Sequence, residues 1–127
     1  MQGMGKPNKI LVVDDEPSLV DLCRMILEGA GFAVRGAISG RQALEMVVQE
    51  MPDLILLDVM MPGMDGIEVC RHIRQEFSTP DPYIMMYTAD DRDSTRLQSL
   101  DAGANDLLTK DTPVFDLPTK IETCIAA

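Results

Sequence analysis

The feature that most constrains this chain is a set of short, unbroken apolar runs, each closed on its downstream side by a polar residue. Residues 10–13 (ILVV) run into Asp14 and Asp15, Leu54–Leu57 (LILL) into Asp58, and residues 83–87 (YIMMY) into Thr88. Apolar runs of this length without alternation suit strands covered on both faces, as in an all-parallel sheet. Parallel strands need crossovers, and the stretches between the runs are long enough to supply them.

After the first run, Leu19, Leu22, Cys23, Ile26 and Leu27 recur at helical spacing, and Gly31 offers a left-handed exit. Residues 32–37 predict a second strand. Ser39 then caps a helix with the stripe Ala43, Leu44, Val47 and Val48, which ends before Pro52. Beyond the Leu54 run, Pro62-Gly63 marks a turn and Asp65 caps a third helix whose Ile67, Cys70, Ile73 and Phe77 face inward. A fourth helix opens at Asp93 or Ser94, places Leu97 and Leu100 inside and closes at Gly103, and residues 106–109 form a fifth strand. For the last helix, Thr112 and Pro113 suit a cap and first position, but Pro118 then falls in the interior. The spacing predicts a kink there, or a restart with Asp116 as a second cap, with Ile121, Cys124 and Ile125 as the apolar side. Five βα units joined by short connections predict an α/β, doubly wound parallel sheet of five strands with helices on both faces.

The 127 residues suffice for one core. The expected organisation is a flexible arm at residues 1–8 and one domain at 9–127, too short to carry a separate output module. No apolar run approaches the ~18 residues that cross a bilayer, and the arm lacks the layout of a secretion signal. The expectation is a soluble, cytoplasmic protein with no membrane insertion. A net charge of -10 excludes direct binding to nucleic acid and favours a cation or a basic partner surface. Cys23, Cys70 and Cys124 are odd in number and widely spaced, which reads as reduced thiols. His72, beside Arg71 and Arg74, reads as a solvated residue.

The polar candidates all fall at or just after carboxyl ends of strands: Asp14 and Asp15 after the first, Asp58 after the third, Thr88 after the fourth, Lys110 after the fifth. In a doubly wound sheet those ends line one crevice. Three carboxylates brought together repel, and protonation or a divalent cation relieves them. Mg²⁺ suits such oxygen donors. An ionised Asp is also a competent nucleophile toward phosphorus, and a Lys ammonium and a Thr hydroxyl can share the charge on transferring oxygens.

The segments KILVVDDEPSLV, PDLILLDVMMPGMDGIEVCRHIR, IMMYTAD and AGANDLLTK resemble, in order and spacing, the motifs of response-regulator receiver domains of two-component signal transduction. The resemblance runs from Lys9 onward and implies a flavodoxin-like strand order 2-1-3-4-5, for which the chemotaxis receiver is a standard illustration. It implies Asp58 as phosphoacceptor, Asp15 as a direct metal ligand, Asp14 as a ligand through water, and the Met60 backbone carbonyl completing a Mg²⁺ site that also accepts Mn²⁺. Thr88 becomes the hydroxyl that follows phosphorylation, and Lys110 the ammonium that pairs with Asp58 or its phosphoryl group. The implied partners are a histidine kinase or phosphotransfer protein upstream and a protein target, or an output domain elsewhere, downstream. Signalling would pass through the face of the fourth helix, fifth strand and last helix. The implied chemistry is self-phosphotransfer and autodephosphorylation only, not enzymatic turnover.

Several positions depart from the pattern. Leu107 stands where the family usually has Tyr or Phe, so the usual inward turn of an aromatic ring is not available. Asp111 replaces a Pro that typically follows a cis bond. A non-proline cis bond costs about 2.5–4 kcal/mol, which predicts a trans Lys110-Asp111 bond. Met60 and Asp90 occupy positions that tune acyl-phosphate lifetime, and Met60 is expected to hinder water. Other readings fare worse. An Asp-dependent phosphohydrolase would need a second Asp where Met60 stands, and a flavin-phosphate loop is incompatible with Asp14-Asp15-Glu16. A phosphorylation-independent binding module stays open through Leu107 and Asp111.

Overall fold

The computed structural model describes residues 8–77 and 81–125. Five strands, β1 (Lys9–Val13), β2 (Ala33–Ala37), β3 (Leu54–Leu57), β4 (Tyr83–Thr88) and β5 (Asp106–Thr109), pair in parallel in the order β2-β1-β3-β4-β5. The order inferred from resemblance is the one observed. The helices are α1 (Pro17–Gly29), α2 (Gly40–Gln49), α3 (Gly66–Glu76), α4 (Asp93–Asp101) and α5 (Leu117–Ile125). Residues 1–7 of the expected arm lie outside the described residues, and Asn8 already joins the sheet by accepting from the Ala33 N–H at 2.9 Å.

Because successive strand side chains point to opposite faces, the unbroken apolar runs feed two cores. Leu11, Val13, Ile55, Leu57, Ile84, Met86 and Leu107 pack under α2 and α3. Ile10, Val12, Leu54, Leu56, Met85 and Tyr87 pack under α1 and α5, against Val20, Cys23, Leu27, Leu117 and Ile121. Local signals hold where the residues themselves make the terminus. Ser39 accepts from the Gln42 N–H, and Asp65 and Glu68 form a reciprocal capping box on α3. Gly31 and Gly103 take φ of 101° and 108° beyond the ends of α1 and α4.

Side-chain facing is corrected in four helices. Val20, not Leu22, is buried in α1, and Val48 of α2 is 69% exposed. In α4, Leu97 and Leu100 face solvent, while Thr95 and Ser99 are buried with Ala102 just beyond the helix. Two leucines three apart do not fix the phase of a nine-residue helix, and the small residues allow α4 to sit close to its neighbours. Val69, absent from the expected stripe of α3, is fully buried.

The last helix restarts. Residues Val114–Asp116 make a 3-10 turn after Pro113, and α5 begins at Leu117, directly after Asp116. Thr112 is therefore not the cap of one long helix. Pro118 falls in the first turn of α5, where its missing N–H has no helical acceptor to lose. Cys23 and Cys70 are buried free thiols, Cys124 is half-buried and also free, and burial pushes Cys23 and Cys70 up to about 11.

Candidate functional site

The ladder hydrogen bonds run one residue past the strand ends and so fix the backbone of the polar residues. Asp14 N–H donates to the Ala37 carbonyl at 3.1 Å, Asp58 N–H to Val13 at 3.0 Å, and Lys110 N–H to Thr88 at 2.8 Å. Each donor sits where its strand leaves the sheet, at the rim where a doubly wound sheet opens its crevice. Chain entry into α3 tightens this rim further. Gly66 N–H donates to the Val59 carbonyl at 2.9 Å, and a Cβ on Gly66 would lie 2.1 Å from the Asp58 carbonyl oxygen. Only glycine permits that approach.

The side chains of Asp14, Asp15, Asp58 and Lys110 come together. The Lys110 ammonium donates to Asp14 Oδ2 at 2.8 Å and to Asp58 Oδ2 at 3.2 Å. The other oxygens are held by main chain, Asp14 Oδ1 by the Glu16 N–H at 3.0 Å and Asp58 Oδ1 by the Met60 N–H at 3.2 Å. Asp14 and Asp58 are buried, Asp15 is exposed, and one carboxylate oxygen from each of the three lies within 4.8 Å of the others. Burial pushes the Asp58 carboxyl above its ordinary value, Lys110 opposes the rise, and Asp14 adds to it. Burial works against the Lys110 ammonium, but the bonds to Asp14 and Asp58 outweigh it and hold the group above its ordinary value.

Three carboxylates face one ammonium, so the cluster keeps an excess of negative charge presented by oxygen donors only. That donor set fits a hard divalent cation such as Mg²⁺. Met60 stands at the cluster through its N–H, with its side chain 58% exposed. Thr88 is fully buried, and its hydroxyl oxygen accepts from the Asp90 N–H at 3.2 Å. Leu107 is buried in the core beneath α3, and the Lys110-Asp111 bond is trans, since Asp81-Pro82 is the cis bond among the described residues.

Two features escaped the sequence reading. Asp90, whose partners the sequence does not indicate, is a buried acceptor. Arg92 grips it with Nε at 2.9 Å and Nη2 at 2.6 Å, and the Thr95 hydroxyl donates at 2.6 Å. Those bonds, Arg92 first, hold its carboxyl well below the usual carboxylate range. The second is Tyr87, whose hydroxyl donates to the Thr112 carbonyl at 2.7 Å. Neither partner choice is encoded by spacing, although a tyrosine closing an apolar strand is a visible oddity.

Fold and cluster together define an open α/β protein with a carboxylate cluster and a lysine at the carboxyl ends of its strands. The chain belongs to the response regulator receiver domain family, whose model matches residues 10–122. It is similar to a crystal structure from Chloroflexus aurantiacus assigned as a response regulator, with 35% identity, a TM-score of 0.87, and coverage of 96% of this chain and 100% of that one. It is also similar to the BeF3-activated N-terminal receiver domain of Klebsiella pneumoniae RstA, at 33% identity, TM-score 0.85 and 94% and 100% coverage. The Vibrio cholerae chemotaxis protein CheY4 matches at 28% identity, TM-score 0.86 and 92% and 98% coverage. The protein is thus a receiver of two-component signalling, a family that interacts with histidine kinases or phosphotransfer proteins and generally binds a divalent metal at its Asp cluster. No helix among the described residues is long and apolar enough to cross a membrane.

Proposed function

We propose that this chain is a phosphoacceptor switch in which Asp58 receives a phosphoryl group from a histidine kinase, a phosphotransfer protein or a small phosphodonor. The observation that carries the reading is the Lys110 ammonium shared by two buried carboxylates, Asp14 and Asp58, with Asp15 beside them. A structural ion pair needs one carboxylate per ammonium. An excess of buried charge at a strand-end crevice is the signature of a site built for a cation and a charged ligand.

A carboxylate oxygen of Asp58 attacks phosphorus, the bond from phosphorus to the donor breaks, and the donor leaves with that electron pair. Asp14, Asp15, Asp58 and the Met60 carbonyl are the groups that would hold Mg²⁺, or Mn²⁺ in its place. When bound, the ion neutralises the carboxylates and the charge on the transferring oxygens. Lys110 already lies 3.2 Å from Asp58 Oδ2 and supplies a second positive charge there. Thr88 can rotate its hydroxyl toward the new phosphoryl oxygens, the kind of small local change that biases a two-state element. The chemistry is stoichiometric, limited to self-phosphotransfer and autodephosphorylation, and the switch operates in the cytoplasm. Output passes through protein contacts on the side of α4, β5 and α5, where Leu97, Leu100 and Phe115 are exposed.

The test is intact mass after incubation with acetyl phosphate and Mg²⁺, with and without chelator. One metal-dependent phosphoryl adduct is expected on the wild type and none on Asp58→Asn. Absence of an adduct with both acetyl phosphate and a histidine kinase as donor would instead support a binding module that works without phosphorylation.

A further inference from the structure

Tyr87 immediately precedes Thr88 on β4, so the two side chains point to opposite faces of the sheet. The Tyr87 ring packs in the core under α1 and α5, with Val12, Cys23, Leu56 and Leu117, and is only 4% exposed. Its hydroxyl leaves that apolar packing to donate to the Thr112 carbonyl at 2.7 Å. Thr112 lies two residues beyond Lys110, and its own N–H closes back on the Thr109 carbonyl at 3.0 Å. Residues 109–112 are therefore a closed turn that carries Lys110 on its first step out of β5. The near side of this turn is gripped by the Lys110 N–H to Thr88 carbonyl bond at 2.8 Å. The far side is gripped by Tyr87.

A lysine reaches its target through a flexible four-carbon stem, so the accuracy of its ammonium depends on how firmly its backbone is held. Here the Lys110 ammonium meets Asp14 at 2.8 Å and Asp58 at 3.2 Å. Asp111, the next residue, is exposed and joined by a trans bond, so the rigid ring of a proline does not stiffen the turn. A buried tyrosine hydroxyl needs some acceptor. The acceptor it has is in the turn that bears the site lysine.

We infer that Tyr87 is a positioning residue for Lys110, its hydroxyl fixing the turn that aims the ammonium at Asp58. The inference deepens the phosphoacceptor reading and rests on it.

The experiment compares the full chain with Tyr87→Phe, which keeps the ring and removes the bond, and with Tyr83→Phe, which removes a hydroxyl at the other end of β4. Two quantities are read: the initial rate of the phosphoryl adduct with acetyl phosphate and Mg²⁺, and the ¹⁵N signal and order of the lysine ammonium groups. Tyr87→Phe is expected to form the adduct about fivefold more slowly, the factor that one neutral hydrogen bond supplies. In the same variant the Lys110 ammonium signal broadens while those of Lys9 and Lys120 do not. Tyr83→Phe matches the wild type in both. A third variant, Thr112→Gly, loosens the turn without touching the core and is expected to act in the same direction, which keeps the test readable if Tyr87→Phe folds poorly. Wild-type rates in both Tyr87→Phe and Thr112→Gly overturn the inference. So does a slower Tyr87→Phe whose Lys110 signal is unchanged, or an equal loss in Tyr83→Phe. A wild type that forms no adduct with acetyl phosphate or with a histidine kinase as donor overturns the phosphoacceptor reading and this one together.

Discussion

At the scale of single residues, the cluster stores unfavourable electrostatics. Asp58 is buried among like charges, and its carboxyl is raised above the ordinary 3.8. Between those two values the folded chain holds more protons than the unfolded one, so stability falls as pH rises through the window, and the penalty is complete above it. Replacing Asp58 by Asn removes that penalty. Asp58→Asn is expected to be more stable than the wild type at pH 7 without divalent ions, the gain shrinking to nothing as pH falls through 3.8. Urea melts across pH check this, and a variant less stable than wild type at pH 7 contradicts it. Lys110 behaves in the opposite sense. Its folded value is raised above 10.5, so its stabilisation is whole below that pH and is lost as pH climbs through the raised value. Ser99 offers a separate test, because its hydroxyl is fully buried without a partner among the described residues. Ser99→Ala is expected to stabilise by about 1 kcal/mol, the desolvation cost of an unpaired hydroxyl, and unchanged denaturant midpoints would refute it.

At the scale of elements, α3 and α4 show two ways of attaching a helix to the rim. The start of α3 is set by its own sequence, since the Asp65 and Glu68 capping box satisfies main-chain donors and Gly66 lets the helix start against the Asp58 carbonyl. Asp65→Ala should cost about 1 kcal/mol. Gly66→Ala should cost about 3 kcal/mol or more, because backbone must move to admit the Cβ, and it should also displace Asp58 and slow adduct formation. Thermal melts with adduct rates check both, and a Gly66→Ala chain of wild-type rate would remove glycine from the account. α4 has almost no apolar anchor. It is tied at its start by the Asp90, Arg92 and Thr95 bonds and beyond its end by Arg74, which donates to the Gly103 carbonyl and to Asn105 Oδ1. The bond from the Asp90 N–H to the Thr88 hydroxyl joins the end of β4 to the Asp90, Arg92 and Thr95 bonds at the start of α4.

At the scale of the whole molecule, the acidic cluster couples strands distant in sequence, because Asp14 and Asp15 leave β1 while Asp58 leaves β3. A cation held there binds only the folded chain and stabilises it by mass action. Added Mg²⁺ is therefore expected to raise the melting temperature in a saturable way that chelator reverses and Asp15→Asn abolishes; a Mg²⁺ effect that survives in Asp15→Asn would place the ion elsewhere. Much of this architecture is legible in the residues. The runs at 10–13, Leu54–Leu57 and 83–87, with the helical stripes between them, point to α/β winding, since strands buried on both faces tolerate such apolarity. Their downstream polar neighbours supply the three carboxylates of the cluster, Asp14, Asp15 and Asp58. Membership is legible because a strand end is a local property, marked by the step from apolar to polar. What the tertiary structure alone decided is how those members are held. Val48 and Leu97 turn outward, Asp90 is claimed by Arg92 and Thr95, and Tyr87 reaches Thr112. Each of these depends on the rotation of one element against another, and that rotation is settled by the packing of the whole rather than by the spacing of residues along any one segment.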